Sequence, residues 1–366
     1  AYVDQEITIT ITGTNDTPTI DIDNTVDNGE VVDAGNQYDG TIVTGTQSVS
    51  GTLKVLDLDN NSTISWSIVE RPSEIYGSIQ IDENGGWTYY LDNNLQSTQA
   101  LAEGDSRKQI YKVRGTDDKG AYVDQEITIT ITGTNDTPIV SRDTQVSGTI
   151  LEGNPSETQS ITGTLRLFDM EFSIINWSIE GDKPSTYGNF NIDASGKWTY
   201  TLNNDLFGVQ ALAEGDSRIQ IYTVRATDDK GGYVDQKITI TIIGTNDGPI
   251  ILEPSIGNFG FTEGNSSQTL IHSGSFSFVD KDTNDQIKIS GQLTRRAEWS
   301  GGDIHPSLQD NLGGGFNISG TETTHAAPGS VDWSYRVDKV NLDFLAKDET
   351  ITLVYTVTIA DTNNAT

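Results

Sequence analysis

The sequence predicts an all-β protein, a series of tandem Greek-key β-sandwiches of about seven strands each. Three observations carry that prediction: a long internal repeat, hydrophobic alternation with a period of two, and turn residues at regular intervals. Residues 1–18, AYVDQEITITITGTNDTP, recur unchanged at 121–138, and GYVDQKITITIIGTNDGP repeats them with few changes at 232–249. Self-similarity at that period marks stacked structural units. Within each copy ITITIT alternates β-branched apolar residues with Thr, the pattern of a half-buried strand. The sequences DENGG at 82–86, DASG at 193–196 and DDKG at 117–120 and 228–231 read as turns. A chain of 366 residues accommodates three such sandwiches of roughly 100 residues each.

Other landmarks keep step with the repeat. GTLKVLDLD from Gly51 to Asp59 answers to GTLRLFDME from Gly163 to Glu171 and to GSFSFVDKD from Gly274 to Asp282. Trp87-Thr-Tyr matches Trp198-Thr-Tyr and Trp333-Ser-Tyr, and LAEGD at 101–105 matches LAEGD at 212–216. These define a final strand and linker of a preceding unit at 1–17, then units at 18–137, 138–248 and 249–366. The third unit diverges. Asp282 to Trp333 spans 51 positions where Asp59 to Trp87 spans 28, which predicts an inserted segment at about 291–329. Its equivalent of the last ITITIT strand is missing. Trp66, Trp87, Trp177 and Trp198 are the expected core anchors.

Asp and Glu number 53 against 22 Lys and Arg, so the net charge is 22 − 53 = −31. That excess argues against nucleic acid or anionic membrane as partners. It also repels itself in a compact state unless a cation neutralises it, and clustered oxygens favour a hard divalent ion. The chain has no Cys, which excludes a disulfide framework, thiolate metal sites and a Cys nucleophile. No apolar run approaches the length of a membrane-spanning helix. The opening Ala1-Tyr2-Val3-Asp4 falls in mid-repeat, so the chain is expected to be a fragment.

The GTNDxP ends, the YG segment leading to WTY, and LAEGD together resemble VCBS repeats, over essentially all of the first two units and part of the third. That family belongs to giant bacterial adhesins secreted by type I (RTX-type) systems, with cadherin-like or bacterial Ig-like sandwiches. The resemblance implies calcium between domains, a secreted or cell-surface location, and a role in cell adhesion and biofilm formation. A surface ligand would be gripped by other regions of the parent. The direct partners of these repeats would be one another, in a monomeric chain.

Strand parity places the acids. If seven strands reverse at every turn, the Asp169–Glu171 turn, the Asp228 turn and the incoming linker share one pole of the second unit. Glu152, Glu214, Asn246 and Asp247 share the other. Stacking brings opposite poles together. The joint between the first two units should gather Asp33, Glu103, Asn135, Asp136, Asp169, Glu171 and Asp228. The next should gather Glu152, Glu214, Asn246, Asp247, Asp280, Asp282 and Asp361, and the entrance to the first unit Asn15, Asp16, Asp57, Asp59 and Asp117. Carboxylates, Asn and backbone carbonyls supply the six to eight oxygens that calcium takes. Asp and Asn also dominate turns for backbone reasons alone.

Catalysis finds little footing. A glycosidase needs paired carboxyls once, flanking a cleft, whereas these pairs recur in every unit. His occurs only at 272, 305 and 325, and the Gly313-Gly-Gly run lacks the Gly-Lys-Ser/Thr of a phosphate loop. The chain is read as no enzyme. The alternative function is glycan or peptide binding by the third unit, with Trp299, Arg295 and Arg296 as a flat platform. A further alternative is strand addition, in which residues 1–12 complete the third unit of another molecule.

Overall fold

The computed structural model describes residues 2–36, 42–181, 186–252, 258–264, 266–282, 286–320 and 329–361. His325, residues 362–366 and part of the expected insert lie outside them. The described chain forms three all-β, Ig-like sandwiches in series.

The first and second sandwiches are built alike. In the first, a four-stranded sheet runs in the order Asn28–Val32, Tyr122–Thr132, Ser106–Thr116, Ser65–Glu70. A three-stranded sheet of Ser48–Thr52, Gly86–Leu91 and Gly77–Ile81 faces it. The second repeats the order with Ser147–Leu151, Tyr233–Ile243, Ser217–Thr227 and Asn176–Glu180, against Thr158–Thr164, Lys197–Asn203 and Gly188–Ile192. The opening strand of each large sheet pairs in parallel with the repeat strand, Val31 opposite Ile131 and Ile150 opposite Ile242. Parallel pairing is what strand reversal demands of a first and a seventh strand.

Alternation along the repeat strands buries Ile127, Ile129 and Ile131 in one unit and Ile238, Ile240 and Ile242 in the next, each wholly. Trp87 and Trp198 lie at the centres of these cores. Each donates its indole N–H to a backbone carbonyl, Val26 at 2.7 Å and Gln145 at 2.8 Å, so the ring is buried with its one polar atom satisfied. Gly51 and Gly163 make room for the rings: a Cβ there would stand 2.4 and 2.3 Å from the indole Cζ2. Trp66 and Trp177 pack against the same cores but remain only partly buried.

The third sandwich departs from this plan. Its larger sheet runs Ile250–Ile251, Gln268–Val279, Gly329–Val340, Phe316–Gly320, and Lys288–Trp299 pairs with Ile351–Ala360 in the other. Residues 291–299, expected within an insert, instead continue a twelve-residue strand of the sandwich proper. The extra length is divided between that strand and the helix Pro306–Gly313, whose first turn is capped by the His305 ring accepting from the Ser307 N–H. The expected strand at the start also differs. Residues 2–17 lie outside every strand, with Ile7, Ile9 and Ile11 more than 80% exposed. A strand with no neighbour has nothing to hold its backbone groups.

Candidate functional site

Each linker makes the same set of bonds to the unit that follows it. The Asn of the GTND motif donates its side-chain amide to the Asp that opens a turn: Asn15 to Asp117 at 2.9 Å, Asn135 to Asp228 at 3.0 Å, Asn246 to Asp361 at 2.8 Å. The next residue donates its backbone N–H to the second acid of the DxD or DxE turn: Asp16 to Asp59 at 2.9 Å, Asp136 to Glu171, Asp247 to Asp282 at 2.7 Å. That second acid's own N–H caps the first, Asp59 to Asp57, Glu171 to Asp169 and Asp282 to Asp280. Turn geometry thus orients one carboxylate oxygen of each acid toward a backbone N–H.

What separates the three copies is burial. Asn15 and Asp16 are exposed. At the joint between the first and second units Asp33, Asn135, Asp169 and Asp228 are all at least nine-tenths buried. Asp33 enters from the first unit, at the end of strand Asn28–Val32, where the Ala34 N–H donates to its Oδ1 at 2.8 Å. Five buried oxygens here have no hydrogen-bond partner: Asp33 Oδ2, Asn135 Oδ1, Asp136 Oδ2, Asp169 Oδ2 and Glu171 Oε2. Each such group costs on the order of 1–3 kcal/mol, more when charged. Several fall at one seam, so the cost is concentrated there.

The electrostatics register the same cost. Burial, reinforced by Asp136, pushes the Asp33 carboxyl up to about 7. Burial with Asp169 nearby takes Asp136 to about 6, and burial, Asp136 and Asp169 take Glu171 to about 8. Asp117 at the exposed entrance goes the other way: the Asn15 amide and turn N–H groups hold it below the usual carboxylate range. Among the described residues none of the five joint carboxylates Asp33, Asp136, Asp169, Glu171 and Asp228 is ion-paired to Lys or Arg.

The joint between the second and third units has the same frame with a different filling. Glu152 takes the place of Asp33 and is pushed up to about 8, chiefly by burial. Gln210 donates to Glu152 at 2.9 Å and accepts from Lys281 Nζ at 2.8 Å, and Lys281 also lies 3.6 Å from Asp247. Asp280, Asp282 and Asp361 are buried.

Sequence parity therefore identifies the seams, but not every member. Glu103 and Glu214 are exposed on turns and do not join the buried sets. Gly104 and Gly215 follow them with φ of 89° and 91°, and the loops are held through backbone bonds such as Asp105 N–H to Ala102. The side chains turn to solvent. Gln210, which donates to Glu152, and its counterpart Gln99 were absent from the residues expected at the joints. Their signal was the QALAEGD that both units share. Among the described residues no group of three or more Asp, Glu or His side chains is placed to hold a metal ion. The donors instead line a seam from both sides.

The third unit's expected platform is not assembled. Trp299 donates its N–H to Glu349 at 3.0 Å and packs edge-on against Phe344, ring centres 4.9 Å apart. Arg295 and Arg296 are exposed on a bulged stretch of strand.

Residues 135–241 match the family described as Bacterial Ig domain. That match falls on the second sandwich. A relative from Rhizobium johnstonii, "Calcium-binding lectin RapA2", is 26% identical over 223 residues, which is 57% of this chain and 90% of that protein. Similar solved structures include the protocadherin GammaB4 extracellular domain, 15% identical with a TM-score of 0.43, covering 95% of this chain and 50% of that one. Human CDH23 EC21-23 is 14% identical with a TM-score of 0.41, covering 90% and 98%. No helix among the described residues is long and apolar enough to cross a membrane.

Proposed function

We propose that this chain is a non-catalytic extender of a bacterial cell-surface adhesin, with calcium clamping the joints between its sandwiches. The observation that carries the reading is the set of five buried, unpartnered oxygens where the first two units meet. They are carboxylate and amide oxygens only, the hard donors that calcium selects, presented on flexible turns rather than a rigid cage. The ion's part is to neutralise this charge and tie two units into one body. The name of the RapA2 relative supports the same cation.

At the joint between the first and second units the ligands would be Asp33, Asn135, Asp136, Asp169, Glu171 and Asp228. Glu152, Asn246, Asp247, Asp280, Asp282 and Asp361 would serve at the next, and Asn15, Asp16, Asp57, Asp59 and Asp117 at the entrance. Backbone N–H groups hold one oxygen of Asp33, Asp57, Asp169, Asp228 and Asp280 in place. Weak sites of this kind fill at extracellular calcium levels and empty at cytosolic ones, so stiffness would be acquired outside the cell.

Titration calorimetry and small-angle scattering test the reading together. Calcium should bind with a stoichiometry above one and lengthen the particle relative to its state in EDTA. Absence of heat, or identical scattering curves in calcium and EDTA, would overturn it. The alternative of a ligand platform at Trp299 receives no support from that residue's geometry, since its N–H and one ring edge are already engaged.

A further inference from the structure

The two internal joints are built from aligned residues, yet one position separates them in charge. In the turn sequences DME and DKD the middle residue is Met170 at one joint and Lys281 at the other, and at the entrance turn, DLD, it is Leu58. Each joint carries five carboxylates: Asp33, Asp136, Asp169, Glu171 and Asp228 against Glu152, Asp247, Asp280, Asp282 and Asp361. Among the described residues, only the second has a cation paired with one of these acids. Lys281 reaches out of the third unit's turn to Gln210 Oε1 at 2.8 Å and to Asp247 Oδ1 at 3.6 Å. Gln210 in turn holds Glu152 through its amide. A covalently attached ammonium therefore bridges the two units through their shared acids.

We propose that Lys281 is a tethered cation that takes over part of calcium's work at the joint between the second and third units, so that the two internal joints load at different calcium levels. This rests on the reading of the joints as calcium sites. Its physical basis is simple. Lys281 occupies an oxygen of Asp247 that the ion would otherwise use, and a fixed positive charge beside the seam repels an incoming divalent one. Among the described residues the joint at Met170 has no such competitor. The Met170 joint loads first. The Lys281 joint loads last, and in calcium's absence it keeps a direct link between its units.

The test exchanges the two residues in the full chain. Calorimetric titration with calcium should resolve a tighter and a weaker class of internal site, separated by about tenfold or more. Lys281→Met should shift the weaker class tighter by a similar factor, and Met170→Lys should weaken the tighter class. Lys281→Arg keeps the charge and should leave the titration near that of the parent. Circular dichroism checks each variant's fold, and the Met170→Lys arm stands independently should Lys281→Met fail to fold. A parent chain that binds calcium but whose titration is unmoved by both exchanges refutes the role of Lys281 alone. A parent chain that binds no calcium refutes the reading of the joints as well.

Discussion

Replacing Asp33 with Asn should have opposite effects with and without calcium. Asp33 is fully buried, accepts the Ala34 N–H through Oδ1, and has no partner at Oδ2. An Asn in the same place keeps the acceptor and removes the charge. Burial raises the carboxyl from the ordinary 3.8 to about 7, and each pH unit is worth about 1.4 kcal/mol. The ionised carboxylate thus costs up to about 4 kcal/mol at neutral pH without a counter-ion. Water entering the joint relieves part of this, so that figure is a ceiling. The sign follows from linkage. The folded state keeps its proton between about pH 4 and 7 where the unfolded chain has lost it, so stability in EDTA falls as pH rises through that window. Asp33→Asn should therefore be the more stable form in EDTA at pH 7, and its advantage should vanish near pH 4. With calcium the order reverses, because the variant has lost a charged ligand. Thermal unfolding of parent and variant in EDTA at several pH values, with a second series in calcium, reads all of this. A variant less stable than the parent in EDTA at pH 7 would refute the reasoning and leave Asp33 an ordinary turn residue.

Asn135→Ala removes the amide that ties the linker to Asp228; it should cost about 1 kcal/mol in EDTA and lower calcium affinity at that joint, measured by melting and calorimetry. Trp198→Ala should destabilise the second unit by about 3–5 kcal/mol in chemical denaturation, because the ring fills its core. Gly163→Ala should cost about 1–3 kcal/mol by the opposite fault, driving a methyl into that indole. Trp299→Ala should speed hydrogen exchange across residues 343–350, where Glu349 and Phe344 lose their partner, without altering binding in a glycan screen.

The repeat and its alternation made the fold legible, because a period-two pattern fixes which face is buried and a count of reversals fixes which pole each turn occupies. The same count groups Asp33, Asn135, Asp136, Asp169, Glu171 and Asp228 at one pole contact, where the structure has Asn135 bonded to Asp228 and Asp136 to Glu171. It could not separate acids that enter a seam from those that merely lie near it. Glu103 and Asp33 have equal claim by parity, but a glycine with positive φ turns one loop outward while a strand end points the other in. Partners that are not acids were invisible for a different reason: attention to carboxylates passes over Gln210, which donates to Glu152, and Lys281, which lies beside Asp247. Trp299 beside two arginines looked like a recognition surface because its partners, Phe344 and Glu349, are distant in sequence.

One short segment performs two jobs, and this explains why charge gathers at the joints. GTND ends the last strand of one sandwich and, within two residues, hands an amide and a backbone N–H to the next. A linker that short leaves the units little freedom to separate, so their poles must meet whatever residues line them. With apolar poles the joint would be permanently rigid, like a core cut in two. With acidic poles, as in the proposed function, closure would depend on a cation and the chain's stiffness would become a property of its surroundings. On that reading the excess of acid matters by position, since the buried carboxylates at the two internal seams would govern whether the sandwiches behave as a flexible string or a rod.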